Sequence, residues 1–252
     1  MSEGHPAAGQ GEWRRTPPPL LRPGVVHVWR IRIDGVATAA DWAVLSPEED
    51  GRARRFFAER HQRRYVVAHA NLRRILSAYA GMAANELAFR TGQYGKPELV
   101  GAPSATLVEF NLSHSGDLAL VAVARDRPVG VDVERWDDRV EHIELATRFF
   151  SPVERDALRR LAPSHADVVE GFFSAWSRKE AYLKASGHGI ARGLDHFDVS
   201  LTPGQPARIL RDHRDDGAPS RWTMTALAAH EGYSAALVAA KPVDEILLFD
   251  AT

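Results

Sequence analysis

One helix start occurs twice in this chain, and the elements after it keep the same plan both times. Leu45-Ser46-Pro47-Glu48-Glu49 puts serine at an N-cap, proline at the first helical position and acids in the first turn. Phe150-Ser151-Pro152-Val153-Glu154 restates it. After the first start, Val67, Ala70, Leu72, Ile75, Leu76 and Tyr79 fall near a 3.6-residue period, which predicts a helix from about Arg63 to Tyr79, ended by Gly81. After the second, a helix from Phe172 to Ala185 occupies the same relative place, and the strand-like 118–124 has its counterpart in 235–240. Three matches in one order predict an α+β fold of two similar halves packed as a pseudo-dimer, with a site at their junction. The halves are read as 25–126 and 127–252. The first opens with a strand at 25–33, and residues 1–24, with Pro17-Pro18-Pro19 and scattered glycines, read as a flexible tail.

Composition removes several classes of function. Among 252 residues there is no cysteine, so disulfides, thiolate zinc sites and cysteine nucleophiles are excluded. Formal net charge is −1, which asks for neither nucleic acid nor an anionic membrane as partner. The first 23 residues have no apolar core of a signal peptide, and no stretch approaches the ~18 apolar residues of a membrane span. The expectation is a soluble, cytoplasmic protein.

Three segments carry chemistry. Val129-Gly130-Val131-Asp132-Val133-Glu134 reads as a strand with apolar residues on one face, so Asp132 and Glu134 share the other. Two carboxylates so close repel unless a proton or cation intervenes, and hard oxygens suit Mg²⁺; two solvated acids on an edge strand are the plainer reading. In the second long helix, Trp176, Glu180 and Lys184 are spaced i, i+4, i+8 on one face, where a Glu–Lys pair is ordinarily a surface ion pair. The tryptophan in that stripe predicts a partly covered face. Phe110-Asn111-Leu112-Ser113-His114-Ser115-Gly116 reads as a turn between two apolar strands, offering donors to a phosphate. Gln93-Tyr94-Gly95-Lys96-Pro97 sets a lysine in a glycine–proline loop.

Gly95-Lys96-Pro97, 110–115, 130–134, 148–154 and 176–184, in this order, closely resemble the 4′-phosphopantetheinyl transferases of the Sfp type. The similarity runs from about Leu45 to Leu201. It implies transfer of the 4′-phosphopantetheine arm of coenzyme A to a serine of an apo acyl, peptidyl or polyketide carrier protein, releasing adenosine 3′,5′-bisphosphate. It further implies Mg²⁺ held by Asp132, Glu134 and Glu180, and Lys184 stabilising the pyrophosphate and leaving group. Glu180 or Glu154 is implied as the base that receives the serine proton, and the sequence does not rank them. Ser113 and His114, with Arg52, resemble the family's site for the 3′-phosphate of coenzyme A, and Lys96 and Pro97 its adenine and phosphate-side contacts. Arg148, Phe149 and Phe150 offer a basic and apolar docking surface for the carrier. Duplicated members of full length act as monomers, so a monomer is expected.

Two positions depart from the family pattern. A phosphate-binding lysine three residues before Arg52 is matched by Glu49, which shifts that work to Arg52, Arg55 or Arg63. A serine often found after the catalytic-helix glutamate is Ala181. Two other readings stand beside the transferase: a metal-dependent phosphodiesterase or nuclease, opposed by the near-neutral charge, and a non-catalytic module binding coenzyme A or a carrier, opposed by the intact acids and Lys184. Residues 187–193 imitate a dinucleotide fingerprint, but the third glycine is one position late and a helix precedes it.

Overall fold

The computed structural model describes residues 12–15, 20–92, 95–101, 108–187, 189 and 193–251. Pro17-Pro18-Pro19, Gln93-Tyr94, His188 and 190–192 lie outside them. The first half runs β1 (Val25–Arg32), α1 (Ala39–Trp42), α2 (Pro47–Ala53), α3 (Glu59–Ala80), the hairpin β2 (Ala88–Thr91) and β3 (Pro97–Val100), β4 (Val108–Ser115) and β5 (Leu118–Arg125). The second runs β6 (Val129–Arg135), α4 (His142–Phe149), α5 (Pro152–Arg160), α6 (His165–Ser186), β7 (Phe197–Val199), β8 (Ile209–Asp212), α7 (Ala218–Arg221), β9 (Trp222–Ala226), β10 (Tyr233–Ala240) and β11 (Glu245–Asp250).

The repeated helix starts form the same local structure. Ser46 and Ser151 each accept a bond from the backbone of the glutamate three residues on, and that glutamate accepts a bond from the serine's own N–H. The long helices α3 and α6 both end in a left-handed glycine, Gly81 and Gly187, each at φ 68°. Each starts earlier than its apolar period announced: the first turn of α3 is polar, and at α6 the Ser164 side chain caps the backbone of Asp167, with Val168 and Val169 already buried in the core.

Two sheets stack between the long helices. The first has strand order β11-β1-β5-β4, the second β6-β10-β9. Alternation along β5 shows the layering. Ala119, Val121 and Val123 pack with Val67, Leu72 and Leu76 of α3, while Leu120, Ala122 and Ala124 pack with Val131 and Val133 of β6 and Leu237 of β10. Buried on both faces, β5 reads as an unbroken apolar run. In β10, Ala236 and Val238 face Phe172, Ala175 and Tyr182 of α6, while the residues between them face the first sheet.

Two expectations about the chain's ends need correction. The flexible tail does not extend through residues 12–15: Arg14 bridges β11 in parallel register, Trp13 Nε1 donates to Ala228 O, and the Arg30 guanidinium lies over the Trp13 ring. An indole buries enough surface to hold a short segment that prolines and glycines would leave loose. The last strand, β11, crosses back to pair in parallel with β1 (Val28 against Leu248), so the first sheet takes one strand from beyond the junction.

Candidate active site at the junction of the halves

The sheets meet along the edges of β4 and β6, which are joined by side chains. Asn111 Oδ1 accepts from the Val131 N–H at 2.8 Å, Ser113 Oγ donates to Asp132 Oδ1 at 2.7 Å, and Ser115 Oγ donates to Glu134 Oε2 at 2.9 Å. Segment 110–116, expected as a turn, is therefore strand through Ser115, with the turn only at Gly116 and Asp117. Its polar residues recur every second position because one face of β4 meets β6. The other face carries Phe110 and Leu112 toward α3, and His114 with them.

On β6 the same alternation turns Val129, Val131 and Val133 into the inter-sheet core and the residues between them toward α6. Gly130 makes close approach possible: a Cβ there would lie 2.3 Å from Ala181 O and 2.4 Å from Ala185 N. Ala181, the departure from the family pattern, is fully buried against this strand, so a small residue fits there. Helix α6 thus rests directly on the strand carrying Asp132 and Glu134. Trp176, one turn before Glu180, packs against Phe149, Phe150 and Phe172 and covers that stripe, as the spacing predicts.

Asp132 is buried. Its Oδ1 receives the Lys184 ammonium at 2.6 Å and Ser113 at 2.7 Å, and the Lys184 ammonium also reaches Ser113 Oγ at 3.0 Å. Its Oδ2 is buried with no protein hydrogen bond. Burial pushes the Asp132 carboxyl up, against the pull of Lys184. Glu134 is pushed up to about 7, first by burial and then by the charge of Asp132, with a smaller push from Glu180. Glu180 is also raised, by burial and then by Asp132, opposed by Lys184. Three carboxyls thus repel one another in a partly dry site, the signature of a place that favours added positive charge. Among the described residues, no three His, Asp or Glu side chains are gathered into a ready coordination shell; the cation seated on Asp132 is Lys184 itself. The donors still suit a hard divalent ion: all are carboxylate oxygens, and Asp132 Oδ2 is desolvated without a partner.

Other expected residues fall around this centre. Lys96 Nζ donates to Val129 O at 3.1 Å, at the start of β6, and meets Glu109 at 3.4 Å; Pro97 opens β3. Arg52 is exposed on α2 with its guanidinium 5.5 Å from the Tyr65 ring centroid. His114 is exposed, and its pKa is lowered by dense surroundings and then by the charges of His69 and Lys184. Beyond Glu134 a cavity of about 440 Å³ opens between Asp117, Arg135, Trp136 and Tyr233.

Glu154 is a correction. It is 1% exposed, and both oxygens are committed: Oε2 to Lys179 Nζ at 2.7 Å and the Ser151 N–H, Oε1 to the Val199 N–H at 2.8 Å. Such a carboxylate braces α5 against α6 and cannot serve as a solvent-side base. Lys179, which the sequence did not single out, completes the brace by donating to Leu194 O and Phe197 O. A lysine beside the catalytic-helix glutamate, in a helix otherwise apolar on that side, was the available signal. Phe150 is likewise buried at 2%, leaving Phe149 (42% exposed) and Val153 (59%) as the apolar surface there.

Residues 128–238 match the family model described as the 4′-phosphopantetheinyl transferase superfamily, and residues 35–126 match "4′-phosphopantetheinyl transferase, N-terminal". Among curated proteins, the 4′-phosphopantetheinyl transferase HetI of Nostoc is 37% identical over 234 residues, 92% of this chain and 94% of its own length. The 4′-phosphopantetheinyl transferase Sfp of Bacillus subtilis is 30% identical over 198 residues, covering 79% and 83%. The psf-1 transferase of Bacillus pumilus is 36% identical over 171 residues, covering 67% and 70%.

Proposed function

The chain belongs to the 4′-phosphopantetheinyl transferase superfamily, and from that premise we propose that Asp132, Glu134 and Glu180 hold Mg²⁺ while Lys184 and Glu180 serve the transfer. The protein is a 4′-phosphopantetheinyl transferase: coenzyme A is the donor and a carrier protein the acceptor. The observation that carries the ion assignment is Asp132 Oδ2, buried without a protein partner beside two other carboxyls of raised pKa. Mg²⁺ bound there supplies charge neutralisation for a diphosphate and orients it.

The protein's own groups divide the remaining work. Lys184 is held between Ser113 and Asp132 and 28% exposed, so its ammonium is available to developing negative charge on phosphate oxygens. With Glu154 sealed in its brace, Glu180 is the remaining candidate to take the proton of the incoming serine hydroxyl. Ser113 and Ser115 hold the β6 carboxyls in place by donating to them, which fixes acceptor geometry before substrate arrives. We place the carrier on the surface formed by Arg148, Phe149 and Val153, where an acidic helix would meet basic and apolar groups. The enzyme is taken to act as a monomer. No helix among the described residues is long and apolar enough to cross a membrane. Neither the nuclease nor the non-catalytic alternative is favoured by the family match.

The test is mass spectrometry of several apo carrier proteins incubated with the enzyme, coenzyme A and Mg²⁺. A gain of the phosphopantetheine mass is expected on at least one carrier, abolished by chelator. Glu180→Ala should lower the labelling rate by about 100-fold or more while the protein stays folded. Full activity in that variant would remove the ligand and base assignments together.

A further inference from the structure

Of the side chains that reach from β4 across to β6, Ser115 stands at the open end. Asn111 and Ser113 are buried and have strand on either side of them. Ser115 is half-buried and is the last residue of β4, so fraying of the strand end would carry it away first. Its hydroxyl serves two groups of β6 at once. It donates to Glu134 Oε2 at 2.9 Å and accepts from the Arg135 N–H at 3.1 Å.

The turn after Ser115 is held from the second half of the chain. Gly116 and Asp117 close β4 onto β5, with Gly116 at φ 58°. Tyr233 lies opposite Arg135 in the ladder of β10 and β6, and its hydroxyl accepts from the Asp117 N–H at 3.1 Å. The fit is close: a Cβ on Gly116 would lie 2.6 Å from the Tyr233 hydroxyl and 2.7 Å from Arg135 Cδ. The phenol ring is set in turn by His230, edge-on at 5.7 Å between centroids. Two other contacts reach the turn. Asp117 O accepts from the Ile33 N–H at 3.0 Å, and the Asp117 carboxylate pairs with Arg64 of α3 and lies 3.9 Å from Arg135. The ion pair is partly exposed and therefore screened, whereas the Tyr233 bond to a backbone N–H fixes the path of the chain itself.

Resting on the reading of Asp132, Glu134 and Glu180 as ligands, we propose that Tyr233 is a positioning residue for Mg²⁺. Its hydroxyl clamps the turn at Gly116 and Asp117, the turn holds Ser115, and Ser115 aims Glu134. The second half thereby sets one of its own ligands through a strand of the first. Affinity for the ion then depends on a phenol hydroxyl that acts only through other residues.

The test is a double-mutant cycle read by Mg²⁺ dependence. Half-saturation is taken from carrier labelling at saturating coenzyme A and from calorimetric titration of Mg²⁺ into enzyme with coenzyme A. Ser115→Ala removes the direct partner of Glu134 and should raise half-saturation about 10- to 100-fold. Tyr233→Phe should raise it about 2- to 10-fold, the worth of one hydrogen bond, and should lower kcat at saturating Mg²⁺ by a smaller factor. In a Ser115→Ala background, Tyr233→Phe should add nothing, because its route to Glu134 is already cut. The same effect of Tyr233→Phe in both backgrounds would overturn the proposal. So would a Tyr233→Phe enzyme that loses Tm or kcat while keeping the wild-type half-saturation. Failure of the ion reading would look different: wild-type enzyme would label carrier at full rate with chelator present.

Discussion

Gly130→Ala tests whether the contact between α6 and β6 sets the catalytic geometry. The new Cβ would lie 2.3 Å from Ala181 O and 2.4 Å from Ala185 N, about 1 Å short of ordinary van der Waals contact. Both obstacles are backbone, so no rotamer change relieves them, and α6 must retreat from the strand. Overpacking of this kind costs about 1–3 kcal/mol. For a protein of this size that corresponds to a fall in Tm of roughly 2–12 °C. Activity should suffer more than stability. Glu180 and Lys184 ride on the displaced helix while Asp132 and Glu134 stay on the strand, and a shift of ~1 Å in such a constellation costs on the order of 100-fold in rate. Differential scanning fluorimetry and carrier labelling by mass spectrometry measure the two effects on one preparation. Gly51→Ala is the control, since nothing lies within 4 Å of a Cβ there; on an exposed helix it should change stability by no more than about 1 kcal/mol. If Gly130→Ala labels within twofold of wild type with an unshifted Tm, the helix–strand contact does not govern the site, and the reasoning from β6 outward is wrong.

Two further predictions concern buried charge. Lys179→Met leaves Glu154 buried and unpaired and should destabilise by about 3–5 kcal/mol in urea, whereas Lys179→Met with Glu154→Leu should recover much of that loss; a double variant no better than the single would argue that the pair is not a structural brace. His27 is fully buried, and burial lowers its pKa from 6.5 to about 4. The unfolded chain therefore gains a proton below about 6.5 that the folded protein refuses until about 4. Stability should be undiminished above pH 6.5 and fall by up to ~3 kcal/mol as pH drops toward 4. Denaturant titrations of wild type and His27→Phe at pH 7 and pH 5 check this, the variant being expected to lose the smaller share; parallel losses would clear His27.

Much of the fold was legible because its signals are local. Ser46 and Ser151 with their glutamates, Gly81 and Gly187 at the helix ends, and the run from Leu118 to Ala124 each act within a few residues, so sequence spacing alone exposes them. The alternation of Asp132 and Glu134 against three valines likewise needs only the pleat. Failures came where a residue's meaning depends on a distant partner. Asn111, Ser113 and Ser115 look like a turn until β6 supplies the backbone N–H and the carboxyls they bind. Glu154 looks like a base until Lys179 and Val199 close over it. Glu49 looks like a damaged phosphate site until Arg73 and His69, about six helical turns of chain away in sequence, take up its charge. In each case the deciding contact joins elements that the period of neither reveals.

The return of β11 to β1 makes the duplication less modular than its two helix starts suggest. A fragment ending at the junction would expose the β1 edge, a bare row of amide and carbonyl groups prone to recruit another chain. Grafting one half onto a relative's other half would succeed only if the strand at 245–250 travelled with the recipient of β1. The dependence runs one way: melting the second half would strip the first sheet of the strand beside β1, whereas the sheet β6-β10-β9 borrows no strand from the first half.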